Sequence, residues 1–223
     1  MSYSIIIPIL NEETSLRKFL PELEELSIKN EILFIDDGST DKSNLILNNY
    51  SYCKTIRLDK NTGKGAAIIK GLINAQYNKI VIFDGDLELQ TNDINKLMIL
   101  NKKDGINFAL GSRIYISKLF DFSWNFGNYI FTYIFNLIHQ SEIEDSLCCA
   151  KSFFKNDIDP HKLKSRGFDI DIELTSLLIK KFKKGINIHL KYKRRKNSNG
   201  KKLKYKDSLI IMKRLILQFY SVK

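Results

Sequence analysis

The feature that most constrains the fold is an alternation of short apolar segments with helical patterns in the first half of the chain. Several of the apolar segments lack polar alternation, which is typical of parallel strands covered by helices on both faces. The predicted strands are Ser4–Ile9, Ile32–Asp36, Lys54–Leu58, Ile80–Phe83 and Asn107–Gly111. Because crossover helices connect parallel strands, this progression predicts an α/β fold with a doubly wound, mainly parallel sheet and helices on both faces.

Helical patterns fill the intervals between these strands. Apolar residues repeat at helical spacing from Leu16 to Leu26, and Pro21 is expected to kink or split that helix. Two more helices are predicted over Thr62–Gln76 and Thr91–Leu100.

The second half of the chain does not continue this alternation of strands and helices. It predicts an aromatic-rich helix over Lys118–His139, a helix over Asp169–Lys181, a strand over Gly185–Tyr192, a basic loop over Lys191–Lys206 and a helix over Asp207–Tyr220. No linker or internal repeat interrupts the pattern, so we expect a single domain over residues 1–223.

The charge of the chain indicates a negatively charged partner. Its 36 lysines and arginines exceed its 25 acids, which gives a formal net charge of +11. Nucleic acid, an anionic membrane and phosphorylated substrates all remain open on this ground. Cys53, Cys148 and Cys149 form neither a zinc nor a disulfide pattern, so a reducing, cytoplasmic compartment is expected.

Targeting and membrane-spanning patterns are weak. The segment Met1–Leu10 lacks the features of a signal peptide, and the most apolar window, Leu119–Ile138, contains too many polar residues for a transmembrane helix. Any membrane contact is therefore expected to be peripheral.

Polar residues and glycines follow each predicted strand, where ligands bind in open α/β sheets. The segments are PILNEE (Pro8–Glu13), DDGSTD (Asp36–Asp41), NTGKGAA (Asn61–Ala67), DGDLELQ (Asp84–Gln90) and GSR (Gly111–Arg113). A dinucleotide fold would need G-x-G-x-x-G after the first strand, and a phosphate loop would need other residues at Leu58 and Gly65. These two motifs are excluded.

Taken together, in this order and at these spacings, the five segments resemble the family-2 glycosyltransferases with the GT-A fold, most closely the polyprenyl-phosphate sugar synthases of the dolichyl-phosphate mannose synthase type. RGFDIDIEL (Arg166–Leu174) and RRKNSNGKKL (Arg194–Leu203) resemble later family motifs less closely. The resemblance implies a nucleotide-diphospho-sugar transferase fold. Residues 1–113 would form the nucleotide-sugar-binding half, and residues 114–223 the acceptor-side half with the basic loop and a C-terminal amphipathic helix.

The acids of DGDLELQ are the predicted metal site. Asp84 and Asp86 lie two apart at a strand end, and their oxygens suit Mg²⁺ or Mn²⁺. The resemblance implies that this cation bridges the donor diphosphate, that Asp86 is catalytic and that Glu88 supplies a further ligand. The alternative is a solvated acidic turn.

Residues near the first two strand ends are predicted to bind the nucleotide. The resemblance places the base and ribose at Pro8, Asn11, Glu12, Asp36 and Asp37. The alternative for the amide and the glutamate is a role at a helix N-terminus.

Two cations are predicted to face phosphates. Lys64 stands between two glycines that open a helix, a typical anion site, and Arg113 can pair with phosphate through its planar guanidinium. A surface salt bridge is the alternative for Arg113. If the acceptor is a sugar hydroxyl, a carboxylate such as Asp145 or Glu173 must act as a base, whereas an ionised lipid phosphate needs none. The segment DSLCCAKSF, which Asp145 opens, departs from the family pattern.

The basic loop lies beside an aromatic segment and an amphipathic C-terminal helix, a combination that suits an anionic membrane surface. The alternative is that both helices belong to the core. Arg194, Arg195, Lys201 and Lys202 are candidates for binding the acceptor phosphate.

We therefore predict a metal-dependent, inverting glycosyltransferase that moves a hexose from a nucleotide sugar, of the GDP-mannose or UDP-glucose type, to dolichyl or undecaprenyl phosphate at the cytoplasmic membrane face. A separate subunit that anchors it to the membrane is compatible with the sequence. One alternative transfers the sugar to a hydroxyl of a growing glycan. A second, a basic nucleic-acid-binding domain, would not need acids at its strand ends, so no nucleic-acid partner is expected.

Overall fold

The computed structural model of the protein describes residues 2–115, 122–195 and 205–220. Its strands and helices are β1 Tyr3–Ile9, α1 Glu13–Ser27, β2 Glu31–Asp36, α2 Ser43–Leu47, β3 Cys53–Arg57, α3 Lys64–Asn74, β4 Lys79–Ile82, α4 Asp93–Leu97, β5 Phe108–Tyr115, α5 Phe122–His139, β6 Lys151–Phe154, α6 Ile170–Phe182, β7 Ile186–Tyr192 and α7 Tyr205–Tyr220. None of the helices in these ranges has both the length and the apolar character needed to traverse a bilayer.

The strands form one sheet in the order β3-β2-β1-β4-β6-β5-β7. Every neighbouring pair is parallel except the two pairs that contain β6. The predicted α/β fold with a mainly parallel sheet is therefore confirmed. The strand β5 continues to Tyr115, so Gly111–Arg113, which was predicted to follow a strand, lies inside one. The predicted division between the two halves at residue 113 also falls within this strand.

The strand β6 was not predicted. It pairs antiparallel with β4 on one side and β5 on the other. Its sequence, KSFF, begins with Lys151 and Ser152, and both are fully buried. A lysine and a serine do not form the apolar pattern of a central strand, so only the tertiary pairing reveals it.

Helices cover both faces of the sheet. In β1, Ile5 and Ile7 pack into a cluster with α1, α2 and α4, whereas Ile6 packs into a second cluster with α3, α5, α6 and α7. Because side chains alternate between the faces of a strand, burial on both faces makes the whole of β1 apolar. This explains why the strand segments lack polar alternation.

Two of the helices differ from their predictions. The helix α1 runs without a break through Pro21, so the expectation of a split is wrong. Pro21 lies on the exposed face of α1, while Leu16, Leu20 and Leu23 are buried on the other face. The helix predicted over Thr91–Leu100 is shorter, because Met98 leaves the helical region with ψ 46°.

A buried histidine links α5 to α6. His139 Nε2 lies 3.1 Å from the Ser176 hydroxyl, and its ring centroid is 4.3 Å from that of Phe135. Burial, with smaller contributions from Lys180 and Lys183, lowers the pKa of His139 from 6.5 to about 4. Between these two values the unfolded chain takes up a proton that the folded chain does not bind, so folding stability falls as the pH falls through this window.

The substitution His139→Gln should reduce this pH dependence. We expect the melting temperature of the wild type to fall more steeply between pH 6.5 and pH 4 than that of the variant, as measured by circular dichroism. His161→Gln, at an exposed position, is the matched control and should retain the wild-type slope. Equal slopes for all three proteins would contradict the assignment.

Candidate active site

The loops that follow β1, β2 and β4 converge on one cavity of about 390 Å³. Acids from these loops line one side of it, namely Glu12, Asp37, Asp84, Asp86 and Glu88. Phe131 of α5, Phe168 just before α6 and Ile211 of α7 add apolar side chains to the lining. The cavity therefore joins a strongly polar wall to an apolar one.

The two aspartates of the predicted metal site lie on this polar wall, and each contacts a cation of the protein. Lys64 Nζ is 3.0 Å from Asp84 Oδ2, and Arg195 Nη2 is 3.3 Å from Asp86 Oδ2. Burial raises the pKa of Asp86 to about 7; Asp84 and Glu88 add to the rise and Arg195 opposes it. The acids are thus crowded enough to hold a proton near neutral pH and would gain from a nearby cation.

Arg195 forms a two-pronged ion pair with Glu12. Its Nη1 donates to Glu12 Oε2 at 2.8 Å, and its Nη2 donates to Glu12 Oε1 at 3.0 Å. Only 4 % of the Glu12 side chain is exposed. This ion pair ties the segment after β7 to the loop after β1, across the mouth of the acidic wall.

Glu88 is committed to the same segment. Its Oε2 accepts a hydrogen bond from the Tyr192 hydroxyl at 2.6 Å, and its Oε1 accepts one from the Arg195 backbone N–H at 3.0 Å. The predicted role as a third metal ligand is untested, and the geometry of this glutamate is that of an anchor for residues 192–195.

Asp37 holds the glycine-lysine loop. It accepts hydrogen bonds from the backbone N–H groups of Thr62 at 2.7 Å and of Gly63 at 2.8 Å. Gly63 has φ 99°, and a Cβ there or at Gly65 would collide with the backbone of residues 165–166. Both glycines are therefore required for the close packing of this loop against the segment before α6.

Two predicted nucleotide ligands lie away from the cavity. Asp36 is fully buried, where it accepts a hydrogen bond from the Ser39 N–H at 2.8 Å and lies 3.7 Å from Arg57. Asn11 accepts a hydrogen bond from the Thr40 N–H at 2.8 Å. Neither residue lines the cavity, whereas Pro8, Glu12 and Asp37 do. Asp36 and Asn11 hydrogen-bond within the loops of the site, and their predicted contacts with the nucleotide stay a prediction.

Arg113 reaches the cavity from within β5 and is held by Asp145. Its Nε is 2.6 Å from Asp145 Oδ2, its Nη2 is 2.9 Å from Asp145 Oδ1, and its guanidinium carbon is 5.4 Å from the centroid of the Tyr192 ring. Only 3 % of the Asp145 side chain is exposed, and it does not line the cavity. Its geometry is that of a residue that positions Arg113, and its predicted catalytic role stays a prediction.

The other predicted base is similarly engaged. Glu173 accepts hydrogen bonds from the backbone N–H groups of Lys164 and Ser165 at 2.8 to 3.1 Å, and it lies 3.7 Å from Arg214. It does not line the cavity. In this structure both carboxylates considered as bases are engaged in hydrogen bonds, and neither lines the cavity.

The sequence did not indicate that Lys64, Lys151 and Asp171 meet next to Asp84. Asp171 lies between Lys64 and Lys151, at 3.3 Å and 3.0 Å from their Nζ atoms. Burial by itself would raise the pKa of Asp171, but Lys151 and Lys64 outweigh it and lower the pKa. Asp171 belongs to the RGFDIDIEL segment, whose resemblance to a family motif could have indicated this residue. Lys151 lies in the unpredicted strand.

The thiol of Cys149 lines the cavity beside these charges. A hydrogen bond with Cys148, followed by burial, raises the pKa of this thiol well above 9.0. The thiol therefore remains protonated and is not suited to act as a nucleophile.

The structure describes two of the four predicted phosphate ligands of the basic loop. Arg194 and Arg195 line the cavity. Lys201 and Lys202 lie outside the described residues, so their predicted contact with the acceptor stays a prediction.

The acidic wall fits a divalent cation that is shared with a diphosphate. In the described ranges no group of three or more His, Cys, Asp or Glu residues is arranged as a complete protein site. Mg²⁺ commonly binds through one or two carboxylates together with substrate phosphates and water, and Asp84 and Asp86 supply that number of carboxylates on the cavity surface.

Removing Arg195 should destabilise the protein. Arg195→Gln leaves the buried carboxylate of Glu12 without its ion pair, so we expect the free energy of unfolding to fall by about 3 kcal/mol. Urea denaturation measures this loss. Lys193→Gln removes the same charge from an exposed side chain two residues away and should change stability by about 0.5 kcal/mol or less. Equal effects of the two substitutions would contradict the geometry.

Comparisons with known proteins agree with the family resemblance that the sequence motifs indicated. An undecaprenyl-phosphate 4-deoxy-4-formamido-L-arabinose transferase from Sodalis glossinidius (strain morsitans) is 32 % identical over 110 residues, which cover 45 % of this chain and 34 % of that protein. A dolichyl-phosphate beta-glucosyltransferase from Dictyostelium discoideum is 29 % identical over 131 residues, 51 % of this chain and 40 % of that protein. The match thus spans less than half the length of either relative.

A solved structure shares the fold across nearly the whole chain. Glucosyl-3-phosphoglycerate synthase from Mycobacterium tuberculosis, in complex with Mn²⁺, UDP-glucose and phosphoglyceric acid, superposes with a TM-score of 0.77 at 14 % identity, covering 98 % of this chain and 80 % of that one. The predicted GT-A fold is therefore confirmed. The sequence model described as glycosyl transferase family 2 matches residues 4–159, more than half of the 223 residues, and the chain therefore belongs to this family.

Proposed function

We propose that the protein is a metal-dependent, inverting glycosyltransferase that moves a hexose from a nucleotide sugar to a polyprenyl phosphate. The observation that carries this proposal is the composition of the cavity between the strand-end loops and helices α5, α6 and α7. Its polar wall offers acids and a lysine to a diphosphate and a cation, and its opposite wall offers an arginine and apolar side chains to a lipid phosphate.

The donor binds along the polar wall in this proposal. Pro8, near the carboxyl end of β1, and Asp37, directly after β2, would contact the base and ribose. Lys64 lies at the cavity surface at the start of α3, where a lysine ammonium can meet the diphosphate. Glu12 and Arg195, which pair with each other, line the same cavity.

Asp84 and Asp86 are the residues that would hold Mg²⁺ or Mn²⁺. When bound, the cation supplies positive charge that stabilises the departing nucleoside diphosphate. The chain itself contributes the alignment of the two carboxylates at the end of β4 and the lysine beside them. The solved structure named above contains Mn²⁺ and UDP-glucose, which supports a divalent cation at this edge of the sheet.

The acceptor binds on the side of Arg113. Asp145 and the Tyr192 ring fix the guanidinium, whose in-plane N–H groups are the donors that can pair with a phosphate. Phe131, Leu147 and Ile211 continue this side of the cavity with apolar surface for a prenyl chain. A single in-line attack by the acceptor on the anomeric carbon inverts its configuration.

The state of the carboxylates favours a phosphate acceptor over a sugar hydroxyl. An alcohol needs a base, and both Asp145 and Glu173 are occupied by hydrogen bonds and lie outside the cavity lining. A phosphate monoester is already ionised at neutral pH. The two relatives, whose names state undecaprenyl phosphate and dolichyl phosphate, support the same choice.

An exposed apolar surface on α5 and α7 supports peripheral contact with a membrane. The two helices contact each other and carry exposed large side chains, namely Tyr129, Ile130, Tyr133, Leu137, Leu209, Ile210, Ile216 and Leu217. We call this set the apolar patch. Lys213 is exposed on the same helix as the last four, and the cavity lies beneath both helices. An anionic bilayer would match this combination of apolar and basic residues.

A donor and acceptor screen tests the function. Radiolabelled UDP-glucose and GDP-mannose are offered with undecaprenyl or dolichyl phosphate and Mg²⁺ or Mn²⁺. We expect a lipid-linked product, and Asp86→Asn should lower its rate on the order of a thousandfold, because the charge that holds the cation is halved.

The matched control for this substitution is Glu22→Gln, which neutralises an exposed acid of α1 and should leave the rate unchanged. Product on a glycan hydroxyl but not on a lipid phosphate would favour the alternative acceptor. Activity that survives both chelation and Asp86→Asn would contradict the role of the metal.

Binding to vesicles tests the apolar patch. We expect Leu209→Ser combined with Ile216→Ser to weaken cosedimentation with phosphatidylglycerol-containing vesicles by about tenfold or more, because each residue would lose buried apolar area. Ile28→Ser combined with Leu45→Ser removes two side chains that are 77 % and 63 % exposed, one directly after α1 and one in α2, and should have no effect. Equal losses for the two pairs would argue against a specific membrane face.

A further inference from the structure

Four charges form an alternating chain that leads from the cavity into the core. Lys151 Nζ lies 3.0 Å from Asp171 Oδ1, Asp171 Oδ2 lies 3.3 Å from Lys64 Nζ, and Lys64 Nζ lies 3.0 Å from Asp84 Oδ2. Lys64, Asp84 and Asp171 line the cavity, but Lys151 does not, and its side chain is 0 % exposed. The proposed reaction gives this innermost lysine no contact with either substrate.

A fully buried lysine is costly unless its charge is compensated. Lys151 also donates to the backbone oxygen of Asp171 at 3.3 Å, so both of its described hydrogen bonds go to one residue. Lys151 and Asp171 thus form a neutral pair. Because the positive charge of Lys151 offsets the negative charge of Asp171, the pair attracts Lys64 less strongly than a lone carboxylate would.

We propose that Lys151 is a positioning residue for donor binding, which keeps Lys64 available to the diphosphate by neutralising Asp171. The inference rests on the proposed function, in which Lys64 meets that diphosphate. Without Lys151, the whole charge of Asp171 would act on Lys64 and would also repel the incoming diphosphate. Lys64 would then remain in its ion pair with Asp171 instead of meeting the diphosphate.

The position of Lys151 in the fold gives this role a structural basis. It stands on β6, the antiparallel strand between β4 and β5, and β4 leads directly to Asp84. Asp171 stands in the first turn of α6 on one face of the sheet. The antiparallel strand therefore supplies a buried cation at the point where α6 and the donor loop meet.

Equilibrium binding of diphosphates tests the proposal. Lys151→Met keeps an unbranched side chain of similar length and removes its charge. We expect the affinity for UDP, GDP or inorganic pyrophosphate with Mg²⁺, measured by calorimetry, to fall about tenfold, because Asp171 is no longer neutralised. The affinity for the corresponding nucleoside, uridine or guanosine, should change by less than about twofold, since a nucleoside carries no phosphate for Lys64.

The double variant Lys151→Met with Asp171→Asn removes the pair as a neutral unit. Its diphosphate affinity should return to within about threefold of the wild type, although it carries one more substitution than the weak single variant. A purely structural role predicts the opposite order, with the double variant no better than the single one. If Lys151→Met does not fold, the double variant is compared with the wild type alone, and a tenfold loss in it overturns the proposal.

Ser152→Ala is the matched control on the same strand. Its hydroxyl is buried and has no hydrogen-bond partner among the described residues, so diphosphate affinity should not change. Diphosphate binding that is unaffected by Lys151→Met, or an equal loss for diphosphate and nucleoside, overturns the role of Lys151 and leaves the proposed function intact. If the wild type binds none of the three diphosphates, the proposed function fails, and this inference fails with it.

Discussion

The structure depends on the pairing of acids with cations at the carboxyl edge of the sheet. Asp84, Asp86 and Glu12 are crowded there, and carboxylates removed from water repel one another unless cations lie between them. Lys64 and Arg195 supply that charge from α3 and from the segment after β7. The loops of the first half and the basic segment of the second half are therefore held together by the same residues that line the cavity.

The ion pairs of the fold also show where part of the excess positive charge lies. Part of it balances acids within the fold, as in the contacts of Arg113 with Asp145 and of Lys151 with Asp171. In the proposed reaction, a metal and a diphosphate would enter among charges that already balance. The free energy of binding would then depend on which ion pairs exchange partners, because separating opposite charges in a site of low polarity costs free energy. Asp36, which is paired with Arg57 outside the cavity, is not part of that exchange.

Much of the fold was predictable because it is encoded in local patterns. The apolar strand segments and the glycines of the Asn61–Ala67 loop report burial on two faces and close backbone approach, which are properties of neighbouring residues. The strand β6 was missed because Lys151 is buried by distant partners. Likewise, a strand-end acid such as Asp36 or Asp37 has the same local signature whether it faces a ligand or braces a loop, so the sequence could not separate the two.

The parallel α/β core, the family and the acidic edge could be inferred from the sequence, because the periodicity of apolar residues and the order of the loop motifs are local properties of the chain. Which charges meet became evident only from the folded chain. The tertiary structure paired Asp145 with Arg113, turned Glu88 toward Tyr192 and placed Lys151 behind Asp171. The physical reason is that the interaction of two charges depends on their distance and burial in space, and residues far apart in sequence acquire both only when the chain folds.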